Sequence, residues 1–422
     1  MKVDAAPPRP ASGGEYRIAF VIGAGVFATT LAQLEVLDLP FRQLLQNRFD
    51  ATPQQTALFF AAAGAPWFLK PIAGLLSDSV PLFGTRRRHY LILCASLAAL
   101  FWLALGPLSH NYVLLLVALV TMNAALVVAS TVVGGLIAEK SREFGSAERL
   151  VSARGFVEGA CVLIAGPLSA WLAGMAFESA AFVGAALAFS VVPVAFLWLA
   201  EPRVAGVHHA ILHAGLTELK TVAGARTAWL AGLFLLCISL PQTFPTTLYF
   251  HQTTTLNFAV GDIGYLNAAA GVGSLLAPAL YLLLSRRLTP RRLLAVAVLA
   301  GALGTAIDLF YDSFRAALAT HFMGGILFNV SFLAAMELAV WATPPGAAAM
   351  GFALLMSAWN IGGSAGDILG AQIAHSWSLG FFRLVAIYAA FTLLPLAAVW
   401  FLPPAMFKRG ADQPCGTRPR AP

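Results

Sequence analysis

Twelve apolar stretches, each about the 20 residues a helix needs to cross a bilayer, leave this chain few ways to fold. They lie at 17–39, 55–76, 89–109, 112–138, 151–175, 179–200, 227–249, 262–284, 292–310, 317–341, 348–372 and 381–402. Of its 422 residues 59% are hydrophobic and 11% charged, whereas a soluble domain carries about 25% charged residues. Such a chain has too little polar surface to face water. In lipid each backbone amide must be bonded within the protein, so the runs are expected to be helices. The expected class is an all-α, polytopic membrane protein with twelve spans. MKVDAAPPRPASGGE, residues 1–15, lacks the apolar centre of a signal peptide and is expected to be a disordered tail. Residues 404–422 are expected to be a polar tail.

Lysine and arginine orient the spans. Of the 26, 21 fall on alternate connections that start with the N-terminus: 2–17, 86–88, 140–154, 203–226, 286–292 and 408–420. Four fall on the other side, Arg42, Arg48, Arg315 and Arg383, and Lys70 lies inside span 2. Basic connections stay in the cytoplasm, so both termini are expected there. The net charge of +7 is thereby a matter of topology and implies no nucleic-acid partner.

The longest connection, 201–226, divides the chain into six-helix bundles at 16–200 and 227–403. Its segment HHAILHAGLTELKTV repeats apolar residues with helical period, which predicts an amphipathic helix on the cytoplasmic face. His208, His209 and His213 lie there without a cysteine or acid to complete a metal set, so solvated histidines are expected. Cys94, Cys161, Cys237 and Cys415 have neither metal-ligand spacing nor a disulfide pattern. Gly155 and Gly159 in span 5, and Gly362, Gly366 and Gly370 in span 11, have the spacing that lets two helices approach closely. Two halves with a solute path between them are a transporter pattern.

GLLSDSVPLFGTRRRHYL, residues 74–91, interrupts the apolar chain with an acid, a turn and three arginines. Gly74 permits close packing, Asp78 lies just inside the boundary, and Pro81 and Gly84 form the turn. Arg86, Arg87 and Arg88 open span 3 and hold the connection inside. A carboxylate there calls for an arginine or a helix N-terminus, and such a contact can break between conformations. Enforcing topology is the simpler use of the same arginines.

Gly-x-x-x-Asp, a turn and a basic cluster together resemble the span 2–3 signature of the major facilitator superfamily. The wider string PWFLKPIAGLLSDSVPLFGTRRRHYL, residues 66–91, resembles the folate–biopterin transporter family within it. So do LPFRQLLQNRFDATPQQ at 39–55, LYFHQTTTLNFAVGDIGYLNAAAGVGSLLAPALY at 248–281 and PPGAAAMGFALLMSAWNIGG at 344–363. Where that family carries two aspartates in span 4 and a glutamate early in span 11, this chain has Ser130, Gly134 and Ala348. The resemblance implies that spans 1, 4, 7 and 10 line a central path, flanked by 2, 5, 8 and 11.

A charge inside a span costs about 2.5–3.5 kcal/mol on insertion scales and so needs a reason. Glu35 and Glu337 are the acids on lining spans, suited to solute contact or proton coupling. Glu158 and Asp367 lie among the span 5 and 11 glycines. Snorkelling or a helix–helix hydrogen bond is the plain alternative for each, and Asp38 and Asp308 are expected at the interface. Lys70 lies a turn from Trp67. It either pairs with Glu337 or Glu158, receives an anionic group of the solute, or snorkels to headgroups. Trp67, Tyr249 and Trp359 would flank a flat ring, Asn360 could hydrogen-bond it, and ordinary packing is the alternative. Pro241 and Pro245 are expected to break span 7.

The sequence thus reads as a secondary transporter of a small organic solute, folate- or pterin-like or another organic anion. It would work by alternating access, alone or in symport with protons, as a monomer in a bacterial inner membrane. No nucleotide loop, cofactor site or metal set is present, and no nucleophile–base spacing marks an enzyme. A non-transporting assembly factor or sensor that keeps the fold is the alternative, because the span 4 acids are missing.

Overall fold

The computed structural model describes residues 13–144, 147–203, 206, 209–344, 347–376, 379–403 and 406. Of the expected tails only residues 13–15, already helical, and the buried Met406 are among the described residues. His208 and Cys415 also lie outside them.

Twelve long helices follow one another: α1 Tyr16–Phe49, α2 Pro53–Ser79, α3 Arg88–Leu108, α4 Tyr112–Phe144, α5 Ala147–Ala173, α6 Phe177–Trp198, α7 Arg226–Thr255, α8 Val260–Arg287, α9 Pro290–Phe310, α10 Phe314–Ala342, α11 Ala348–Ser376 and α12 Phe381–Phe401. Eleven are long and apolar enough to cross a membrane. α11 has 29 residues, ample length for a crossing, but carries glycines, Asn360 and Asp367. A linker helix, His209–Gly224, stands between α6 and α7. Large apolar side chains point outward, including Phe401 at 86% and Phe156 at 79% exposure, as lipid-facing residues must.

Several helices are broken, each for a visible reason. α1 is interrupted at Ala32–Gln33 and again at Leu37, ahead of Pro40. The Ala32 carbonyl accepts the Trp102 indole N–H at 3.1 Å, and the Ser169 hydroxyl takes the Leu39 N–H at 3.2 Å. α2 tightens to a 3₁₀ turn over Ala65–Leu69, between Pro66 and Pro71. α7 has a 3₁₀ turn at Leu240–Gln242, breaks at Phe244, restarts at Pro245 and ends in a π turn at His251–Thr255. Pro241 and Pro245 thus break this helix as expected.

Two expectations need correction. Arg42 and Arg48 were assigned to an outer connection, yet both lie in α1, which continues to Phe49. LPFRQLLQNRF remains helical because Arg42 finds buried partners, so its charge does not end the span. Gly155 was expected at a close helix contact, but a methyl there would meet nothing within 4 Å. The α11 series does pack closely: methyls at Gly362 and Gly366 would collide with α7 at Leu236, Ser239 and Leu240.

By proximity the chain groups into two compact units. One holds the described residues up to Phe41 and those from Ile72 to His209. Its core joins Val21, Ile22 and Val26 of α1 to Leu91 of α3, Val132 and Leu136 of α4 and Val191 of α6. The other holds Arg42–Pro71 and the residues from Ala210 onward. There α8 and α10 touch at backbone distance, with Gly273 against the Phe322 carbonyl and Gly325 against that of Ala270. The linker helix anchors its end through Val222 on Ala228 and Ala347, and leaves Leu216 and Leu219 exposed.

Candidate functional site

In the first unit, the α2–α3 turn holds the expected gate residues together. Leu82 and Thr85 bond each other's backbone across Phe83 and Gly84, both with positive φ (48° and 80°). A two-residue turn of this hand requires that conformation, which glycine adopts without strain. The turn carries Arg87 back to Asp78, with Nη2 and Oδ1 2.5 Å apart, and Glu139 lies 3.9 Å from Nε. Arg87 is buried while both acids are nearly half exposed. Its guanidinium fills the space above Gly135, where a methyl would overlap it. Gly74 lies against Thr131, close enough that a Cβ would be 3.2 Å from its methyl. Arg86, Arg87 and Arg88 also donate their backbone N–H groups to the Glu201 carboxylate at 3.0, 2.9 and 3.0 Å. An acid at a helix N-terminus satisfies donors that have no partner inside the helix. The Arg88 side chain turns away to the Phe196 carbonyl at 2.8 Å.

The second unit contains a buried charged network around the α7 break. With α11 drawn close by its glycines, Asp367 lies beneath the restart of α7. It accepts the Thr246 backbone N–H at 2.9 Å and the Thr246 hydroxyl at 2.6 Å. The same hydroxyl accepts from Arg42 Nη1 at 3.0 Å. The Arg42 guanidinium lies 4.6 Å from the Phe60 ring centre and 5.5 Å from that of Tyr249. Arg42 and Asp367 are 5% and 6% exposed, so cation and anion are neutralised within one desolvated cluster.

Beside it, the 3₁₀ turn of α2 brings the expected aromatic–cation pair together. Lys70 Nζ lies 5.3 Å from the Trp67 ring centre, within cation–π range. The Phe68 carbonyl accepts the Ser357 hydroxyl of α11 at 3.1 Å. A lysine, an indole face and an irregular backbone thus meet at one level of α2.

The other expected residues are placed less uniformly. Glu158 is held by Arg154 at 2.8 Å along α5. Glu337 of α10 accepts the Tyr281 hydroxyl of α8. Trp359 is buried between Phe328 and Phe332, at centroid distances of 6.1 and 5.5 Å, and its carbonyl accepts the Ser239 hydroxyl at 2.8 Å. Asn360 is exposed. The Glu35 side chain lies outside the described residues. A methyl at Gly134 would meet nothing within 4 Å, so that position faces open space. Among the described residues no group of three or more His, Cys, Asp or Glu is placed to hold a metal.

Sequence reasoning missed Arg42, Thr246, Glu139, Glu201 and Gly135. The Pro245 restart was the available signal for Thr246, since a restarted helix needs an acceptor for its first N–H groups. Arg42 carried no such signal, because its neighbours read as the end of a span.

A model of the BT1 family matches residues 32–414. The chain is 26% identical over 383 residues to the folate-biopterin transporter of Synechocystis sp., covering 85% of this chain and 76% of that protein. It is 24% identical over 379 residues to the probable folate-biopterin transporter 2 of Arabidopsis thaliana, covering 83% and 76%. Among solved structures, a D-xylose-proton symporter superposes with a TM-score of 0.72 at 15% identity, covering 93% of this chain and 98% of that one. A nucleoside transporter does so with a TM-score of 0.69 at 11% identity, covering 94% and 100%.

Proposed function

The chain belongs to the BT1 family, and on that premise we propose that it carries a folate- or pterin-like anion, moved by alternating access in symport with protons. It is a secondary transporter of the major facilitator fold, not an enzyme. The observation that carries the choice of solute is the Lys70–Trp67 pair beside the irregular turn of α2. A pterin is a flat heterocycle that stacks on an indole, and a carboxylate forms a charge-assisted bond with an ammonium. Tyr249, Trp359 and Asn360 complete the proposed solute-binding set, and Glu35, Glu158, Glu337 and Asp367 the carboxylates available to solute or proton.

The α2–α3 turn with Gly74, Asp78, Gly84, Arg86, Arg87 and Arg88 acts as a cytoplasmic gate in this reading, with Glu201 as its fixed anchor. The bias of basic residues toward alternate connections supports that orientation, with both termini in the cytoplasm. Arg42, Thr246 and Asp367 then form a latch within the second unit. The arrangement suits a bacterial inner membrane and two six-helix bundles, 16–200 and 227–403, joined by the linker 201–226.

Uptake of labelled folate and biopterin into proteoliposomes, with and without an inward proton gradient, tests this. Uptake of either solute that the gradient enhances is expected. Lys70→Ala should weaken half-saturation by folate more than by the uncharged pterin. Equal losses for both solutes, or normal transport by the variant, would remove Lys70 from the site.

A further inference from the structure

Away from Lys70, a cavity of about 390 Å³ opens among α7, α8, α9 and α10. That is room for several waters at about 30 Å³ each. Its walls offer Gln242 from α7, Asn267 and Ser274 from α8, Asp308 from α9 and His321 from α10. Only the last two ionise among the described lining residues. A carboxylate that lines a cavity with no basic residue is neutralised by a proton or a cation.

His321 belongs to a connected chain. Its Nε2 is 2.8 Å from the Tyr311 hydroxyl, which also receives Gln252 Nε2 at 2.6 Å. His251, the other ionisable group of α7 here, stacks on Phe381 of α12 at 4.1 Å and faces the Tyr311 carbonyl. Asp312 and Arg383, at the adjoining helix ends, are exposed. Asp308 and His321 therefore face each other's cavity with no lysine or arginine lining it.

We propose that this cavity is a proton-binding site, in which Asp308 and His321 take up the proton that drives transport. The coupling clause rests on the transport reading above. A proton from cavity water binding at His321 Nε2 makes that nitrogen a donor. The Tyr311 hydroxyl must then accept from it and turn its own hydrogen away. The phenol oxygen then accepts from both His321 and Gln252, and Gln252 lies less than two turns from Thr246 on α7. The proton site is thereby linked through α7 to the Thr246–Asp367 contact.

Infrared difference spectra of the reconstituted full-length protein, between acidic and alkaline buffer and with no solute, test the site. A carboxylic-acid band lost in Asp308→Asn and an imidazole band lost in His321→Gln are expected, both kept in the exposed control Asp312→Asn. Spectra unchanged in both test variants would overturn the assignment. In vesicles, both variants should lose gradient-driven accumulation while keeping solute exchange at equal pH, and accumulation at the wild-type level would overturn the coupling. If the wild-type protein exchanges neither folate nor biopterin, the solute reading falls, and the infrared result still decides the proton site.

Discussion

Replacing Asp367 with asparagine removes a charge from the α7–α11 latch while keeping the shape. The carboxylate is 6% exposed and accepts two hydrogen bonds from Thr246, at 2.9 and 2.6 Å. Bonds to a charged acceptor contribute about 1.5–3 kcal/mol each, against about 0.5–1.5 for neutral pairs, so two of them lose about 2–3 kcal/mol. The Arg42 guanidinium also loses its nearby counter-charge, and breaking a buried pair costs about 3–5 kcal/mol in total. A loss of about 3 kcal/mol is expected, because asparagine keeps one acceptor for the Thr246 N–H. Thermal unfolding in detergent should show Asp367→Asn and Arg42→Met each well below the wild type. The double variant should recover part of the sum, by an amount in the range of about 0.5–3 kcal/mol found for contacting residues. If residues 42–71 part from α7 and α11 during transport, the same energy favours the parted form by about a hundredfold. Thr247, buried at 8% exposure, reports this as a single cysteine in a cysteine-free background. Its labelling by a water-soluble maleimide should accelerate in Asp367→Asn. Additive thermal losses together with an unchanged labelling rate would refute the latch.

Four further variants test the packing and the helix end. Gly134→Ala should be neutral or stabilising by about 0.5–1 kcal/mol, since the methyl meets nothing and the helix gains propensity. Gly135→Ala beside it should lose about 1–3 kcal/mol and weaken the gate by displacing Arg87, and unfolding midpoints of the two variants compare them directly. Gly366→Ala should depress both stability and uptake, because its methyl meets the Leu240 backbone, which cannot swing aside as a side chain can. Glu201→Gln should lower the unfolding midpoint at low salt and less so at high salt, because a partly exposed charge at a helix N-terminus is screened.

Much of the site was legible where it depends on neighbouring residues. Pro241 and Pro245 announced the break in α7, and Gly362 and Gly366 announced a close helix contact. Asp78 announced its need for an arginine, but not which of three would answer. Arg87 does so because Gly135, 48 positions along the chain, leaves room for its guanidinium. Glu337 was legible as an acid of span 10, but not that Tyr281 of α8 donates its hydroxyl to it. Trp359 was legible as an aromatic of span 11, but not its two phenylalanine neighbours on α10.

By itself the sequence determined the number of spans, the sidedness expected from its basic connections and the turn at 80–87. Each follows from the transfer of one local segment from water to lipid, and such terms add along the chain without reference to distant residues. Only the tertiary structure decided that Arg42 is buried within a helix, that Thr246 bridges it to Asp367, and that Asp308 and His321 line one cavity. Those pairings depend on how closely α7, α8, α9, α10 and α11 approach. That distance is set by glycines and broken turns on different helices acting together, which no single segment encodes.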